Sequence, residues 1–238
     1  MANKKITDLP AGVRMRADDL IEVVQAGPTS KQISLEEIAP GPDMPPAVAD
    51  PTDDEFDGSV LDAKWSWLNQ GSASVIMGAS RAVLLAPGVS GNNLRGLEQT
   101  IGAGPWEYNM KLTPEWGAAV PTNAIMGMML RQSSTNRLMV FGYQNGNIMI
   151  SWFTNPTLYN GQPHAIGQNL GTMFLKIQDN LTNLIFKYSR DGAYYHTFWT
   201  DSRTAFLTGA ADRIGFAADS EQGGTSVATS VDWIRRTA

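Results

Sequence analysis

Carboxylates are the residues of this 238-residue chain that could do hydrolytic chemistry. A glycosidase places two of them on either side of one glycosidic bond, commonly spaced as Glu-x-Asp-x-x-Glu when both lie on one strand. That spacing does not occur in the sequence. The acidic residues beyond residue 90 are scattered, and most lie beside turn residues: Glu98, Glu107, Glu115, Asp179, Asp191, Asp201, Asp212, Asp219, Glu221 and Asp232. We therefore expect that the protein is not an enzyme.

Sugar binding needs aromatic planes that cover a pyranose and planar polar groups that read its hydroxyls. A candidate set lies on or beside two neighbouring predicted strands: Arg131, Tyr143, Asn145, Asn147 and Trp152. Tyr143 and Trp152 each continue an apolar stripe along a strand, however. The alternative that these two rings fill the core is therefore favoured.

Arg95 completes the candidate set. A buried guanidinium without a partner is costly, which makes Arg95 and Arg131 difficult to place inside a core. Either these arginines pair with carboxylates such as Glu98, or they face a groove.

The sequence contains few residues that could bind a metal ion or a cofactor. Cysteine is absent, and the only histidines, His164 and His196, lie in no metal or triad motif. We expect no cofactor. Asp54, Asp57 and Asp62 are interpreted as loop caps, with a calcium site as the alternative because oxygen-rich turns can hold that ion.

Short strands must position these residues. The chain is 42% hydrophobic and 17% charged, as in a globular protein. Apolar and polar residues alternate from Trp106 to Leu112, which predicts a strand with one buried face. Similar runs recur at 124–132, 136–143, 146–154, 172–179, 183–189, 193–200, 212–218 and 227–235. Turns such as 144–147 and 190–192 separate them. The pattern predicts an all-β fold, an antiparallel jelly-roll β-sandwich.

Two acidic and aromatic segments, 53–67 and 230–235, are interpreted as the first and last parts of this domain. We expect Trp65, Trp67 and Trp233 to be structural and to pack the two ends of the domain together. Arg235 and Arg236 are expected to pair with the acidic first segment at an exposed rim, where they would contribute at most about 1 kcal/mol.

The first residues differ in composition from the rest. Residues 1–57 hold five basic and twelve acidic residues, a net charge of −7, whereas the remainder has a net charge of +2. No apolar run suits a signal peptide or a membrane span, and no basic field indicates nucleic-acid binding. We predict a small module of short strands at 1–40, a proline-rich linker at 41–52 and the jelly roll at 53–238.

Six segments in order resemble the concanavalin A-like lectin/glucanase jelly rolls, in their non-catalytic form. They are DEFDGSVLDAKWSW (54–67), NLRGL (93–97), MLRQS (129–133), FKYSRDG (186–192), DRIGF (212–216) and VDWIR (231–235). The likeness covers about residues 53–236 and implies a domain that binds carbohydrate.

The N-terminal segments KITDLP (5–10), DLIEVV (19–24) and KQISLEEI (31–38) resemble a module at the start of tailed-phage tail-fibre and head-fibre proteins. The resemblance implies a virion structural protein, made in the host cytoplasm. Residues 1–40 would join it to other phage proteins, and the jelly roll would bind a host-surface glycan. We expect the protein to form a homo-oligomer, specifically a homotrimer. The alternative is a non-virion polysaccharide-binding module or a glycoside hydrolase of the same fold.

Overall fold

The computed structural model describes residues 20–23, 31–34, 50–102, 104–117, 122–167, 171–221 and 225–237. The chain divides into two compact units, Met1–Ala49 and Asp50–Ala238. In the first unit, β1 (Leu20–Val23) pairs with β2 (Lys31–Ser34) as an antiparallel hairpin. The proline-rich linker predicted at 41–52 lies outside the described residues except for 50–52, and the three domain boundaries stay predictions.

The second unit is a sandwich of two antiparallel seven-stranded sheets, which confirms the predicted jelly-roll fold. Sheet 1 has the order β11-β10-β9-β8-β15-β6-β3, and sheet 2 has the order β14-β13-β12-β7-β16-β5-β4. The strands of sheet 1 are β3 (Ser66–Leu68), β6 (Arg95–Thr100), β8 (Ile125–Gln132), β9 (Arg137–Gln144), β10 (Asn147–Asn155), β11 (Leu158–Gly167) and β15 (Arg213–Asp219). Those of sheet 2 are β4 (Ser74–Met77), β5 (Ala82–Ala86), β7 (Trp106–Trp116), β12 (Met173–Asp179), β13 (Asn183–Ser189), β14 (His196–Ser202) and β16 (Val227–Arg236).

The core lies between the two sheets and follows the alternation of the strands. Trp106, Tyr108, Met110 and Leu112 of β7 are all buried in it, as the sequence pattern predicts. Side chains of sheet 1 meet them from the other side, among them Phe141, which packs edge-on against Phe186 at 5.5 Å. The described part of the chain contains no helix that could cross a membrane.

One long strand, β11, is not predicted by the sequence pattern. It forms an edge of sheet 1 and contains Pro163, which cannot donate to a ladder, and Gly161, whose φ is +108°. Register shifts interrupt its pairing with β10. These residues remove the alternation that marks a strand in the sequence, and they also make the edge a poor template for further pairing.

The first and last segments of the jelly roll are joined by backbone hydrogen bonds. The N–H of Asp54 donates to the carbonyl of Ile234 at 2.9 Å, and the N–H of Ile234 donates back to Asp54 at 2.9 Å. Arg235 forms an ion pair with Glu55, with its Nε 2.6 Å from Oε1. The arginine side chain is only 7% exposed, so the expectation of an exposed rim was wrong for this pair.

The tryptophans of these segments are structural, although they do not form one cluster. Trp65 packs in the core against Phe56 and Phe216, with ring centroids 5.6 and 5.5 Å away. Trp233 lies on the face of sheet 2 that points away from the core, where its ring is 6.1 Å from that of Phe174. The two ends of the domain are therefore joined by the backbone and by charges rather than by stacked indoles.

Candidate functional site

A pocket of about 270 Å³ opens where β13 ends and β14 begins. Its lining, which we call the β13–β14 pocket, consists of Tyr188, Arg190, Asp191, Tyr194 and His196. Tyr188 and His196 are opposite each other in the strand register, and their rings are 5.7 Å apart. The connecting turn, 190–195, supplies the other lining residues.

Asp191 holds that turn in shape. Its Oδ1 accepts hydrogen bonds from the Oγ of Ser189 at 2.8 Å and from the backbone N–H groups of Ala193 and Tyr194 at 2.9 and 3.0 Å. The bonds from Tyr194, Ser189 and Ala193 lower the pKa of Asp191 to about 2. Gly192 allows the chain to turn here, with a φ of +74°. The carboxylate is thus ionised at neutral pH and fixed in place.

Tyr194 is the most exposed large aromatic side chain of the pocket, at 77%. An exposed aromatic plane beside a carboxylate, a guanidinium and an imidazole has the composition of a sugar site, because the ring covers carbon-bound hydrogens and the polar groups bond to hydroxyls. The sequence marked 190–192 as a turn but did not mark it as a site. The signal available was the pair of tyrosines, Tyr194 and Tyr195, directly after an Arg-Asp-Gly turn.

The second tyrosine of the turn lies over the outer face of sheet 2. The Nζ of Lys176 is 4.4 Å from the centre of the Tyr195 ring and 2.7 Å from Oε1 of Glu107. Burial, followed by the charges of Glu107 and Asp191, raises the pKa of Tyr195 to about 12. These contacts fix the end of the turn to the sheet and so position Tyr194 next to it.

Two of the predicted site residues belong to the core or pack against it: Tyr143 is buried in the core, and Trp152 is partly buried against it. The ring of Tyr143 packs against that of Trp116, with the centroids 5.0 Å apart and the planes tilted by 30°. Trp152 is parallel to Phe206 within 5°, at 4.7 Å between the ring centres. These contacts agree with the alternative that both rings fill the core.

The two predicted arginines lie on different parts of sheet 1. Arg131 is buried, and its Nε donates to Oε2 of Glu98 at 2.7 Å, which is the internal pairing that the sequence left open. Arg95 is also buried, and its Nη1 donates to the carbonyl of Asn69 at 2.6 Å.

The two predicted asparagines belong to the β9–β10 turn. Nδ2 of Asn145 donates to Oδ1 of Asn123 at 2.9 Å, and Nδ2 of Asn147 donates to the carbonyl of Asn145 at 2.9 Å. The structure therefore does not gather the six predicted residues into one surface. That any of them contacts a sugar stays a prediction.

The three aspartates considered for calcium lie in the first segment of the jelly roll. Oδ1 of Asp54 accepts the N–H of Phe56 at 2.8 Å, and Oδ1 of Asp62 accepts the N–H of Lys64 at 2.8 Å. Both are caps of local turns, as the sequence indicated. Among the described residues, no group of three His, Asp or Glu side chains is arranged to hold a metal ion.

The fold defines a class, the antiparallel jelly-roll β-sandwiches. No protein-family model matches the sequence. A search of curated proteins also gave no match.

Solved structures do match, and GH43 proteins and a beta-1,3-glucanase are among them. The GH43 protein BlXynB from Bacillus licheniformis is 18% identical with a TM-score of 0.60, over 82% of this chain and 41% of that one. The Bacteroides ovatus xyloglucan-locus protein GH43B is 17% identical with a TM-score of 0.57, over 80% of this chain and 40% of that one. A beta-1,3-glucanase from Mycobacterium marinum is 13% identical with a TM-score of 0.51, over 79% of this chain and 98% of that one. At these identities the likeness shows the fold alone, and the chain spans about two fifths of the two GH43 proteins.

These neighbours contradict the expectation that the protein is not an enzyme. The expectation rested on the absence of one spacing of carboxylates along a single strand. That spacing is only one arrangement, because a sandwich also brings together carboxylates from strands that are distant in sequence. Glu98 and Asp212, for example, both lie beside Arg213, although more than a hundred residues separate them in the chain.

Proposed function

We propose that the jelly roll is a carbohydrate-active domain that binds a polysaccharide at the β13–β14 pocket. The observation that carries this proposal is the pocket itself, in which the 77% exposed ring of Tyr194 stands beside Asp191, Arg190 and His196. The glycoside hydrolase neighbours support a carbohydrate ligand through the fold.

The geometry suits binding by stacking and hydrogen bonding. One face of a pyranose would lie on Tyr194, and its hydroxyls would donate to Asp191, which is ionised at neutral pH because its hydrogen bonds lower its pKa to about 2. Because the turn is already held by the hydrogen bonds of Asp191, little conformational entropy is lost when the sugar binds.

Binding and hydrolysis can be measured on the same samples. We would test xyloglucan, beta-1,3-glucan, mucin O-glycans and bacterial surface polysaccharides by calorimetry, with reducing ends counted after incubation. Tyr194→Ala should weaken binding about tenfold, which corresponds to about 1.4 kcal/mol, and should leave the melting temperature unchanged because the ring is exposed. Leu158→Ala removes another exposed side chain, 53% accessible, and serves as the matched control. Equal affinities of the two variants would refute the pocket as the site.

Hydrolysis is the second candidate activity, and one observation favours it beyond the neighbours. Asp219 and Glu221 lie two residues apart at the end of β15, and both have a raised pKa. Burial raises the pKa of Glu221 first, and the charge of Asp219 adds to it. A carboxyl group with a raised pKa is what a glycosidase uses as its acid. Release of reducing ends that is lost in Glu221→Gln, with binding retained, would support this activity, and no release from any substrate would reject it.

For the first unit we propose attachment of the jelly roll to a phage particle. The support is that residues 1–49 form a compact unit of their own, that this unit contains the β1–β2 hairpin, and that residues 5–38 resemble phage fibre modules in sequence. The partner would be another phage structural protein, and the assembly a homotrimer. Deletion of residues 1–40 should abolish incorporation into particles and leave the jelly roll folded. Normal incorporation of the truncated chain would refute this proposal, and sedimentation of the full chain tests the trimer.

A further inference from the structure

Two Asn-Gly dipeptides occur in this sequence, Asn145-Gly146 and Asn160-Gly161. In such a dipeptide the backbone nitrogen of the glycine can attack the side-chain amide carbon of the asparagine, because glycine has no Cβ to hinder the approach. The new C–N bond closes a succinimide ring, and the side-chain amide nitrogen leaves as ammonia. Water then opens the ring to give aspartate or isoaspartate. The reaction needs no oxidant and no reagent other than water.

The Asn145-Gly146 dipeptide lies in the tight turn between β9 and β10, and its side-chain amide is bonded through both polar atoms. Oδ1 of Asn145 accepts the backbone N–H of Asn123, and Nδ2 of Asn145 donates to Oδ1 of Asn123 at 2.9 Å. The carbonyl of Asn145 accepts a further bond from Nδ2 of Asn147 at 2.9 Å. The two bonds to Asn123 must break before the side chain can rotate toward the nitrogen of Gly146.

The Asn160-Gly161 dipeptide lies in the edge strand β11, where the pairing with β10 is irregular. Trp152 is opposite Gly161 and Phe153 is opposite Tyr159, so the register between these two strands gives Asn160 no partner. Gly161 has a φ of +108°, and a side-chain atom added to it would meet no other atom within 4 Å. The backbone at this dipeptide is therefore not held by a continuous ladder and is not crowded.

The side chains of the two asparagines differ in their hydrogen bonds rather than in their exposure. Both Asn145 and Asn160 are exposed. Within the part of the chain that the structure describes, however, the amide of Asn160 forms no hydrogen bond. It can therefore reach the nitrogen of Gly161 without first losing a bond, whereas the amide of Asn145 cannot reach Gly146 in this way.

We propose that Asn160 is a site of spontaneous modification in the folded protein, and that it is converted to aspartate or isoaspartate through a succinimide formed with Gly161. Asn145 is protected by its hydrogen bonds to Asn123. The dipeptide sequence alone does not separate the two sites, because both are Asn-Gly. The product is compatible with the fold, since a carboxylate at an exposed position of an edge strand discourages pairing with another strand. This proposal is independent of any glycan bound at the β13–β14 pocket.

Peptide mapping by mass spectrometry tests the proposal on the full folded chain. The protein is incubated in mildly alkaline buffer made with heavy-oxygen water, which labels each newly formed carboxylate, and the label at residues 145 and 160 is followed with time. Asn160 should react about tenfold faster than Asn145, which corresponds to a difference of about 1.4 kcal/mol in activation free energy. Equal rates, or a faster reaction at Asn145, would overturn the proposal.

The same measurement in concentrated urea separates the effect of structure from that of sequence. In the unfolded chain Asn145 loses its bonds to Asn123, so the rates at Asn145 and Asn160 should become similar. If Asn160 kept its full advantage after unfolding, the fold would not be the cause and the proposal would fail.

Two variants test the individual contacts. Asn123→Gly removes the side chain that bonds to Asn145, at a position whose φ of +64° suits glycine. It should accelerate the reaction at Asn145 several-fold and leave Asn160 unchanged; no acceleration would overturn the protective role of Asn123. Asn160→Gln, in which the longer side chain closes a less favourable ring, is the matched control. It should lose the label at residue 160 and keep the melting temperature of the parent, and label retained there would contradict the assigned route.

Discussion

Glu55 and Arg235 form a bidentate ion pair that joins the beginning and the end of the jelly roll. Nε and Nη2 of the guanidinium donate to the two carboxylate oxygens at 2.6 and 2.9 Å. The same guanidinium lies 4.1 Å from the centre of the Trp233 ring. Since both charged side chains are largely buried, removing one partner leaves the other charge uncompensated, which destabilises the fold more than breaking a surface ion pair does.

Glu55→Gln should lower the free energy of unfolding by about 2 to 3 kcal/mol, because the buried guanidinium loses the charge of its carboxylate. Arg235→Lys should cost nearly as much, since an ammonium group cannot form the two parallel bonds. Urea denaturation of both variants measures the effect. A loss below about 0.5 kcal/mol in both would show that the pair behaves as a surface pair.

A second buried ion pair, Arg131 with Glu98, can be tested by a double-mutant cycle. The Glu98 side chain is only 4% exposed, so Arg131→Met leaves an inadequately compensated carboxylate inside sheet 1, and we expect a loss of about 3 kcal/mol. Arg131→Met with Glu98→Leu should recover much of that loss. Thermal denaturation of the two single variants and the double variant gives the coupling energy. Strict additivity would contradict the assigned pairing.

Glu107 should make stability depend on pH. Burial favours its protonated form, but the hydrogen bonds from Lys176 and Thr237 and the charges of Lys176 and Lys187 outweigh burial and lower the pKa below the ordinary 4.5. A lowered pKa in the folded state gives stability that is present above pH 4.5 and is lost as the pH falls through the folded-state value. Glu107→Gln should therefore be less stable than the parent at pH 7, and the difference should shrink in acid. A difference that is constant with pH would rule this out.

A substitution of Trp152 tests whether this residue packs against the core or contacts a sugar. Its stacking on Phe206 leads us to expect that Trp152→Ala lowers the free energy of unfolding by about 3 kcal/mol. Glycan affinity, measured at a temperature where the variant is folded, should match that of the parent. Unchanged stability together with a loss of glycan affinity would instead show that Trp152 contacts the sugar.

The sheet architecture could be predicted from the sequence because it depends on alternation. The stripe from Trp106 to Leu112 indicated a strand with one buried face, and that face is buried. β11 could not be found in this way, since Pro163 and Gly161 interrupt its pattern and an edge strand needs no continuous apolar face.

The candidate site was less accessible to prediction because it depends on which strands become neighbours. Tyr188 and His196 face each other only after β13 and β14 pair, and the exposure of Tyr194 follows from the turn that Asp191 holds. The sequence does contain each residue type. It left open whether Arg131 pairs with a carboxylate such as Glu98 or faces a groove, and only the fold shows the pairing, which turns a candidate sugar contact into an internal ion pair.

The pairing of Asp54 with Ile234 has a consequence for how the domain can be rebuilt. Nη1 of Arg236 is 3.6 Å from Oδ2 of Asp50, and the backbone N–H of Arg236 donates to Oδ1 of Asp53 at 2.6 Å. The first and last residues of the sandwich therefore lie next to each other. A short peptide could connect residue 237 to residue 50, and new termini could open in the exposed turn at Asn145 and Gly146. Such a circular permutant should retain the fold, because tertiary contacts, rather than the order of the chain, hold the two ends of the domain together.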